Sequence, residues 1–333
     1  MKGLQLNSFG APTDVLELAD LKPTVPGDRD VTVAIEAAPI NPSDLSLIRG
    51  SYGVRPELPA GIGAEGVGRI VAVGGDVDQS RLGERVIIVP RRRYATWREQ
   101  TTVDQADAIT VSPRADALQL AMLAINPMTA YSMLHSYVNL RPGAWVAQTG
   151  ASSATARYVI ALATHAGLRT LNVVRRQSAI QPLLDVGADV VLLGDGDLAE
   201  NAAEALGGAP IDLLLDAGVV EPTMHLASLM RVGGVVINYA ARDGKPLVVT
   251  PQDLIFRSVT IHGYWLLNWL NNTPRATIAK SYGDLADLIA DGTLSAPVEA
   301  TYRLGDYRAA ITHGALDGNA SGRDGKVLFT FEA

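Results

Sequence analysis

Ala144-Trp145-Val146-Ala147-Gln148-Thr149-Gly150-Ala151-Ser152-Ser153-Ala154-Thr155-Ala156 is an apolar run that breaks into a string of small residues around a single glycine. The run reads as a short buried strand, and the amphipathic stretch after Ala154 reads as a helix. Working outward, residues 170–174, 190–193, 211–215 and 235–239 repeat the strand pattern with helical stretches between them. Apolar strands alternating with amphipathic helices predict a parallel, doubly wound α/β sheet. Upstream, residues 31–35, 68–73 and 85–89 are short β-rich runs punctuated by Gly and Pro, which predicts an all-β or barrel-like unit from Leu4 to about Val103. Beyond Thr273, a helix over 278–289 is followed by strand-like residues 296–301 and 326–331, so the tail is expected to rejoin the first unit. The expected organisation is a barrel-type domain over 1–122 and 274–333, with a doubly wound domain inserted at 123–273.

Composition narrows the function. The chain has 333 residues, 47% hydrophobic and 19% charged, enough to bury a core. A net charge of −7 argues against a broad grip on nucleic acid or anionic lipid. Cysteine is absent, which excludes disulfides, thiol chemistry and thiolate zinc sites. Residues 118–140 lack Asp, Glu, Lys and Arg, yet Gln119, Asn126, Ser132, His135 and Asn139 argue against a membrane span. The opening Met1-Lys2-Gly3-Leu4-Gln5 has no apolar signal-peptide core, and a cytoplasmic enzyme is expected. His135, His165, His225, His262 and His313 are isolated, none paired at metal-ligand spacing.

A doubly wound sheet binds its ligand where the first strand turns into the first helix. Here small residues let backbone N–H groups approach a pyrophosphate, although with Gly150 the lone glycine the segment also reads as a plain tight turn. The second strand ends in Arg175-Arg176, and Arg175 lies 175 − 150 = 25 residues beyond the turn glycine. Sites that prefer NAD place an acidic residue near there; arginines suit the 2′-phosphate of NADPH. The alternative is a solvated basic strand end.

In Asn41-Pro42-Ser43-Asp44-Leu45, Gly50-Ser51-Tyr52-Gly53, Pro56-Glu57-Leu58-Pro59, Gly63-Ala64-Glu65-Gly66-Val67-Gly68 and Asn126-Pro127-Met128-Thr129-Ala130-Tyr131, the chain resembles the medium-chain dehydrogenase/reductase superfamily. Within it, the likeness is to the zinc-free branch, closest to the mitochondrial-type 2-enoyl thioester reductases and quinone oxidoreductase-like proteins. The resemblance implies a GroES-like catalytic domain, an inserted Rossmann domain, NADPH, and reduction of an activated C=C bond. The zinc branch carries Cys and His where this chain has Asn41 and Ala64, so no metal is expected. Carried over residue by residue, the family's cofactor contacts fall on Asn126, on the turn Ser152, Ser153, Ala154 and Thr155, and on Arg175 with Arg176. Further contacts fall on the loop Tyr239, Ala240, Ala241 and Arg242, on Tyr264, Trp265 and Leu266, and on Lys326. Asn126 also reads as a helix cap, Tyr264 and Trp265 as core, and Lys326 as a strand-edge lysine. The family's turn carries glycines where this chain has Ala154 and Ala156; a need for φ > 0 there would cost about 1 kcal/mol.

Reducing an α,β-unsaturated thioester requires hydride at Cβ, stabilisation of the enolate oxygen and a proton at Cα. By resemblance the proton donor is Tyr52, whose phenol, with a reference pKa near ~10, is protonated at neutral pH; a Tyr between glycines also reads as a turn aromatic. Arg91-Arg92-Arg93 reads as a solvated loop, or as a contact for the phosphates of coenzyme A or for an acyl carrier protein. The leading expectation is thus an NADPH-dependent 2-enoyl thioester reductase acting on a CoA or acyl carrier protein substrate. An NADPH:quinone or enone oxidoreductase and a non-catalytic NADPH-binding protein are the alternatives. A homodimer is expected, because Ser258-Val259-Thr260-Ile261-His262-Gly263 reads as an apolar edge strand that needs covering.

Overall fold

The computed structural model describes residues 1–91, 95–241, 244–316 and 325–332. The chain forms two compact units, Met1–Met128 with Leu270–Ala333, and Thr129–Trp269.

In the first unit, β1 (Lys2–Leu6) lies between β2 (Leu16–Asp20) and β4 (Ala60–Gly61) in a small antiparallel sheet. The larger sheet is built on β3 (Asp30–Pro39), which pairs antiparallel with β5 (Gly66–Val73) and with β7 (Gln100–Asp104). Beyond β5 follow β6 (Arg85–Ile88) and β8 (Ala108–Thr110). Val31, Val33, Ile35, Ala37 and Ala38 of β3 are buried, and Pro39 stands at the strand end, where its missing N–H disturbs the ladder least. Trp97 is fully buried, edge-on to Phe329 with ring centroids 5.3 Å apart, and its Nε1 donates to the Pro39 carbonyl at 3.1 Å. Each such large side chain taken from water contributes about 1.5–3 kcal/mol.

The second unit is a six-stranded sheet of β9 (Trp145–Gln148), β10 (Arg169–Val174), β11 (Val190–Leu193), β12 (Ile211–Asp216), β13 (Met230–Asn238) and β14 (Thr260–Gly263). All its neighbouring pairs are parallel, in the order β11-β10-β9-β12-β13-β14. The chain starts in the middle at β9, works to one edge, then returns to build the other side. That reversal opens a crevice at the carboxyl ends of the middle strands. Back in the first unit, β15 (Val298–Arg303) and β16 (Lys326–Thr330) complete the large sheet, with β16 paired to both β15 and β3. The expected α/β architecture of a GroES-like unit and a doubly wound Rossmann sheet is therefore what the chain forms.

Candidate functional site

At the end of β9 the backbone turns through Gly150, whose φ of +61° is one that residues with a Cβ rarely adopt. Ser153 then caps the helix Ala154–His165, its Oγ accepting from Ala156 N at 3.2 Å. A small cleft opens beside this turn, lined among others by Thr149, Gly150, Ser152, Arg175, Val219 and Pro222. Arg175 is exposed and Arg176 half-buried, and neither makes an ion pair among the described residues. Their charge is therefore available to an anion. The expected strain at the turn is absent: Ala154 and Ala156 are helical, and Ser258 alone among the described non-glycine residues has a positive φ. Ala156 is fully buried against Val174 and Leu183, a place its methyl fills.

Behind this cleft lies a residue that sequence reasoning did not single out. Asp216 ends β12 fully buried, and its carboxylate accepts from Thr149 Oγ1, Gly218 N, Val219 N, Thr223 Oγ1 and Asn238 Nδ2 at 2.6–3.1 Å. An aspartate closing an apolar strand two residues before a glycine, Gly218, was the available signal.

Tyr239 N donates to the Asp216 carbonyl at 3.0 Å, and Asn238 Nδ2 donates to Ala240 O at 3.0 Å, so this loop leaves β13 on a fixed course. Tyr239 and Ala240 are half-buried and Ala241 is exposed; Arg242 lies outside the described residues. Tyr264 is buried, its hydroxyl 2.6 Å from Ser132 Oγ, and burial holds its phenol above the ordinary tyrosine range. Leu266 is buried and Trp265 half-buried.

In the first unit the structure gathers Asn41, Asp44, Glu65, Asn126 and Lys326. Asn41 caps the helix Pro42–Arg49, with Pro42 at its first position and Asp44 at its third. Asn41 N donates to Asp44 Oδ2 at 2.9 Å, and its side-chain amide donates to Glu65 Oε1 at 2.8 Å. Glu65 Oε2 accepts from Ile125 N at 2.7 Å, which fixes the residue just before Asn126. Asn126 Nδ2 lies 3.4 Å from Asn41 Oδ1, the atom to which Lys326 Nζ also donates. Burial pushes Glu65 up to about 7 and Asp44 up to about 6, with the Lys326 charge opposing both shifts. Asn126 and Lys326 are brought together in this cluster with Asp44 and Glu65, neither of which was expected to take part in a functional site.

Tyr52 sits in the bend that follows this helix, half-buried against the core of the first unit. Gly50 ends the helix with φ +75°, its N–H on Leu47 O and that of Ser51 on Ser46 O at 2.9 Å each. The Arg55 guanidinium lies over the Phe9 ring, 4.6 Å from its centroid, where a side chain at Gly50 would meet it at 2.8 Å. Arg91 donates to the Leu270 carbonyl at 3.0 Å, a structural contact, whereas Arg92 and Arg93 lie outside the described residues. Among the described residues no cluster of His, Asp and Glu has metal-binding geometry, and no helix is long and apolar enough to cross a membrane.

Residues 27–114 match the alcohol dehydrogenase GroES-like domain and residues 154–282 match the zinc-binding dehydrogenase domain. The chain is 33% identical over 318 residues to the mitochondrial enoyl-[acyl-carrier-protein] reductase of Xenopus tropicalis, covering 93% of this chain and 91% of that protein. Among solved structures, a Bacillus thuringiensis protein assigned as an NADPH:quinone reductase superposes with a TM-score of 0.89 at 27% identity, covering 99% of both chains. A mitochondrial 2-enoyl thioester reductase heterodimer from Candida tropicalis, at 24% identity and 99% coverage of both chains, shares the fold with a TM-score of 0.85.

Proposed function

The chain belongs to the family of the mitochondrial enoyl-[acyl-carrier-protein] reductases, within the medium-chain dehydrogenase/reductase superfamily, and on that premise we propose that it reduces the C=C bond of 2-enoyl thioesters with NADPH. The observation that carries the cofactor is the cleft at the end of β9, which joins a glycine turn and a capped helix start to an unpaired arginine at the end of β10. Those features fit a pyrophosphate and a 2′-phosphate. When bound there, NADPH supplies the hydride. Ser152, Ser153, Ala154 and Thr155 would hold the pyrophosphate, and Arg175 with Arg176 the 2′-phosphate. Tyr239, Ala240, Ala241, Tyr264, Trp265, Leu266, Asn126 and Lys326 would complete the grip. The hydroxyl of Tyr264 is engaged with Ser132, so this residue would contribute through its backbone or ring.

In this reading the domain over 123–273 holds the nucleotide, and the domain over 1–122 and 274–333 supplies the proton. Tyr52 gives its phenolic proton to the substrate Cα as hydride reaches Cβ, on a loop that Gly50 and Arg55 hold in place. The active protein is a homodimer: all four residues of the edge strand β14, Ile261 among them, are exposed, and the preceding helix adds the exposed apolar side chains Ile255 and Phe256.

A second reading, NADPH:quinone or enone reduction, is favoured by the likeness to the Bacillus thuringiensis protein. The test is NADPH oxidation followed in parallel with crotonyl-CoA, a simple enone and a benzoquinone. Preferred turnover of crotonyl-CoA supports the first reading, and preference for the quinone or enone supports the second. Binding of NADPH without turnover of any of the three would leave a nucleotide-binding protein.

A further inference from the structure

We infer that Asp216 is the positioning residue that sets the shape of the nucleotide cleft from behind, by fixing the carboxyl ends of β9, β12 and β13 with one buried charge. The inference rests on the reading that this cleft holds NADPH.

A carboxylate removed from water is costly unless donors replace its hydration. Asp216 is fully buried, and no cation reaches it among the described residues. Neutral donors do all the work. Oδ1 accepts from Gly218 N at 2.9 Å, Val219 N at 3.1 Å, Thr223 Oγ1 at 2.7 Å and Thr149 Oγ1 at 3.1 Å, and Oδ2 accepts from Asn238 Nδ2 at 2.6 Å. Thr149 Oγ1 is itself the acceptor for Ala217 N at 3.0 Å, which turns the hydroxyl proton toward Asp216. The surrounding groups point donors inward, which an ionised, acceptor-only carboxylate satisfies and a protonated one does not.

The anchored residues matter to the cleft. Thr149 and Val219 line it, and Thr149 immediately precedes the Gly150 turn. Asn238 spends the same amide nitrogen on Ala240 O, so the carboxylate also orients the loop after β13. Asp216 itself is absent from the cleft lining, so it acts through these neighbours. Replacing it with Asn keeps the shape but turns an N–H₂ group toward either the Oδ1 donors or the Asn238 amide. An Asn238 amide that flips to accept from the new residue can no longer donate to Ala240 O.

The experiment measures the Kd of NADPH and of NADH by nucleotide fluorescence for the wild type, Asp216→Asn and Thr149→Val, together with Tm and steady-state constants. In Asp216→Asn both Kd values should rise by about tenfold or more, as for a lost charge-assisted hydrogen bond, with the NADPH/NADH ratio unchanged. KM for NADPH should rise while KM for crotonyl-CoA and kcat at saturating NADPH hold. Thr149→Val, which removes one of the donors, should move both Kd values in the same direction by less. Amide exchange over residues 149–152, 217–223 and 239–241 should quicken without nucleotide. A folded Asp216→Asn with wild-type Kd values, or one that changes only the NADPH/NADH ratio, overturns the inference. Should Asp216→Asn fail to fold, Thr149→Val decides, and unchanged Kd values and exchange in it overturn the inference. Failure of the wild type to bind NADPH defeats the functional reading instead, while the exchange measurement still tests Asp216.

Discussion

Glu65 accepts the Asn41 side-chain amide at 2.8 Å where water does not reach, Glu65 being fully buried and Asn41 nearly so. Glu65 shares this interior with Asp44 and with one ammonium, Lys326. Two carboxylates against one cation leave the cluster with more negative charge than it can balance when fully ionised.

Stability should therefore fall as pH rises through this cluster's titration. Burial raises Asp44 from 3.8 to about 6 and Glu65 from 4.5 to about 7, so the folded state binds more protons than the unfolded one between these limits. Stability is highest at the acidic side of that window and is lost as pH rises through the folded values. Glu65→Gln keeps an acceptor for Asn41 and removes the Glu65 share of the titration, leaving that of Asp44. Melting curves across about pH 5–8 should show a flatter slope in the variant; parallel slopes would place the proton uptake elsewhere.

Tyr52→Phe deletes one hydroxyl and leaves the ring packed on the core. On crotonyl-CoA, kcat should fall by ~10²–10⁴ with KM little changed, the usual range for a lost general acid. A quinone takes its proton from solvent, and its reduction should be spared. Near-normal kcat on crotonyl-CoA would remove Tyr52 from the mechanism.

Arg175→Glu replaces an unpaired cation at the end of β10 with a charge that repels the 2′-phosphate. NADPH affinity should fall by at least about tenfold while NADH affinity changes little. Titration of both nucleotides reads this directly, and an equal loss for both would assign Arg175 to the fold.

Phe256 and Ile261 are 78% and 41% exposed. Sedimentation at micromolar concentration should give a dimer for the wild type and a monomer for Phe256→Asp/Ile261→Asp. A monomeric wild type would refute the edge-strand pairing.

The strands were legible because β-branched apolar runs bounded by Gly and Pro have few other uses. Residues 190–193 were read as they stand in β11, whereas β13 begins at Met230, five residues before the reading at Val235, because Arg231, Gly233 and Gly234 interrupt the apolar run. That Arg175 stands on the same cleft as the Gly150 turn was legible from their spacing. Buried carboxylates were not. Asp212 and Asp216 stand four residues apart on one strand, yet Asp212 is half-buried and pairs with Arg231 at 3.0 Å, while Asp216 is closed in by neutral donors. Strand order decides which neighbours each acid meets, and no local pattern encodes it. Asn41-Pro42-Ser43-Asp44 was noticed as a family motif; its capping role needed the helix.

The strand β16 lies between β15 and β3, so an inner place in the large sheet stays vacant until residues 326–330 have been made. A growing chain can complete the parallel sheet of residues 129–269 while the first unit still waits for its closing strand. Lys326, the cation of the Asn41–Glu65 cluster, arrives with that strand. A chain that stops short of it leaves β3 with an open edge and two buried acids without their counter-charge.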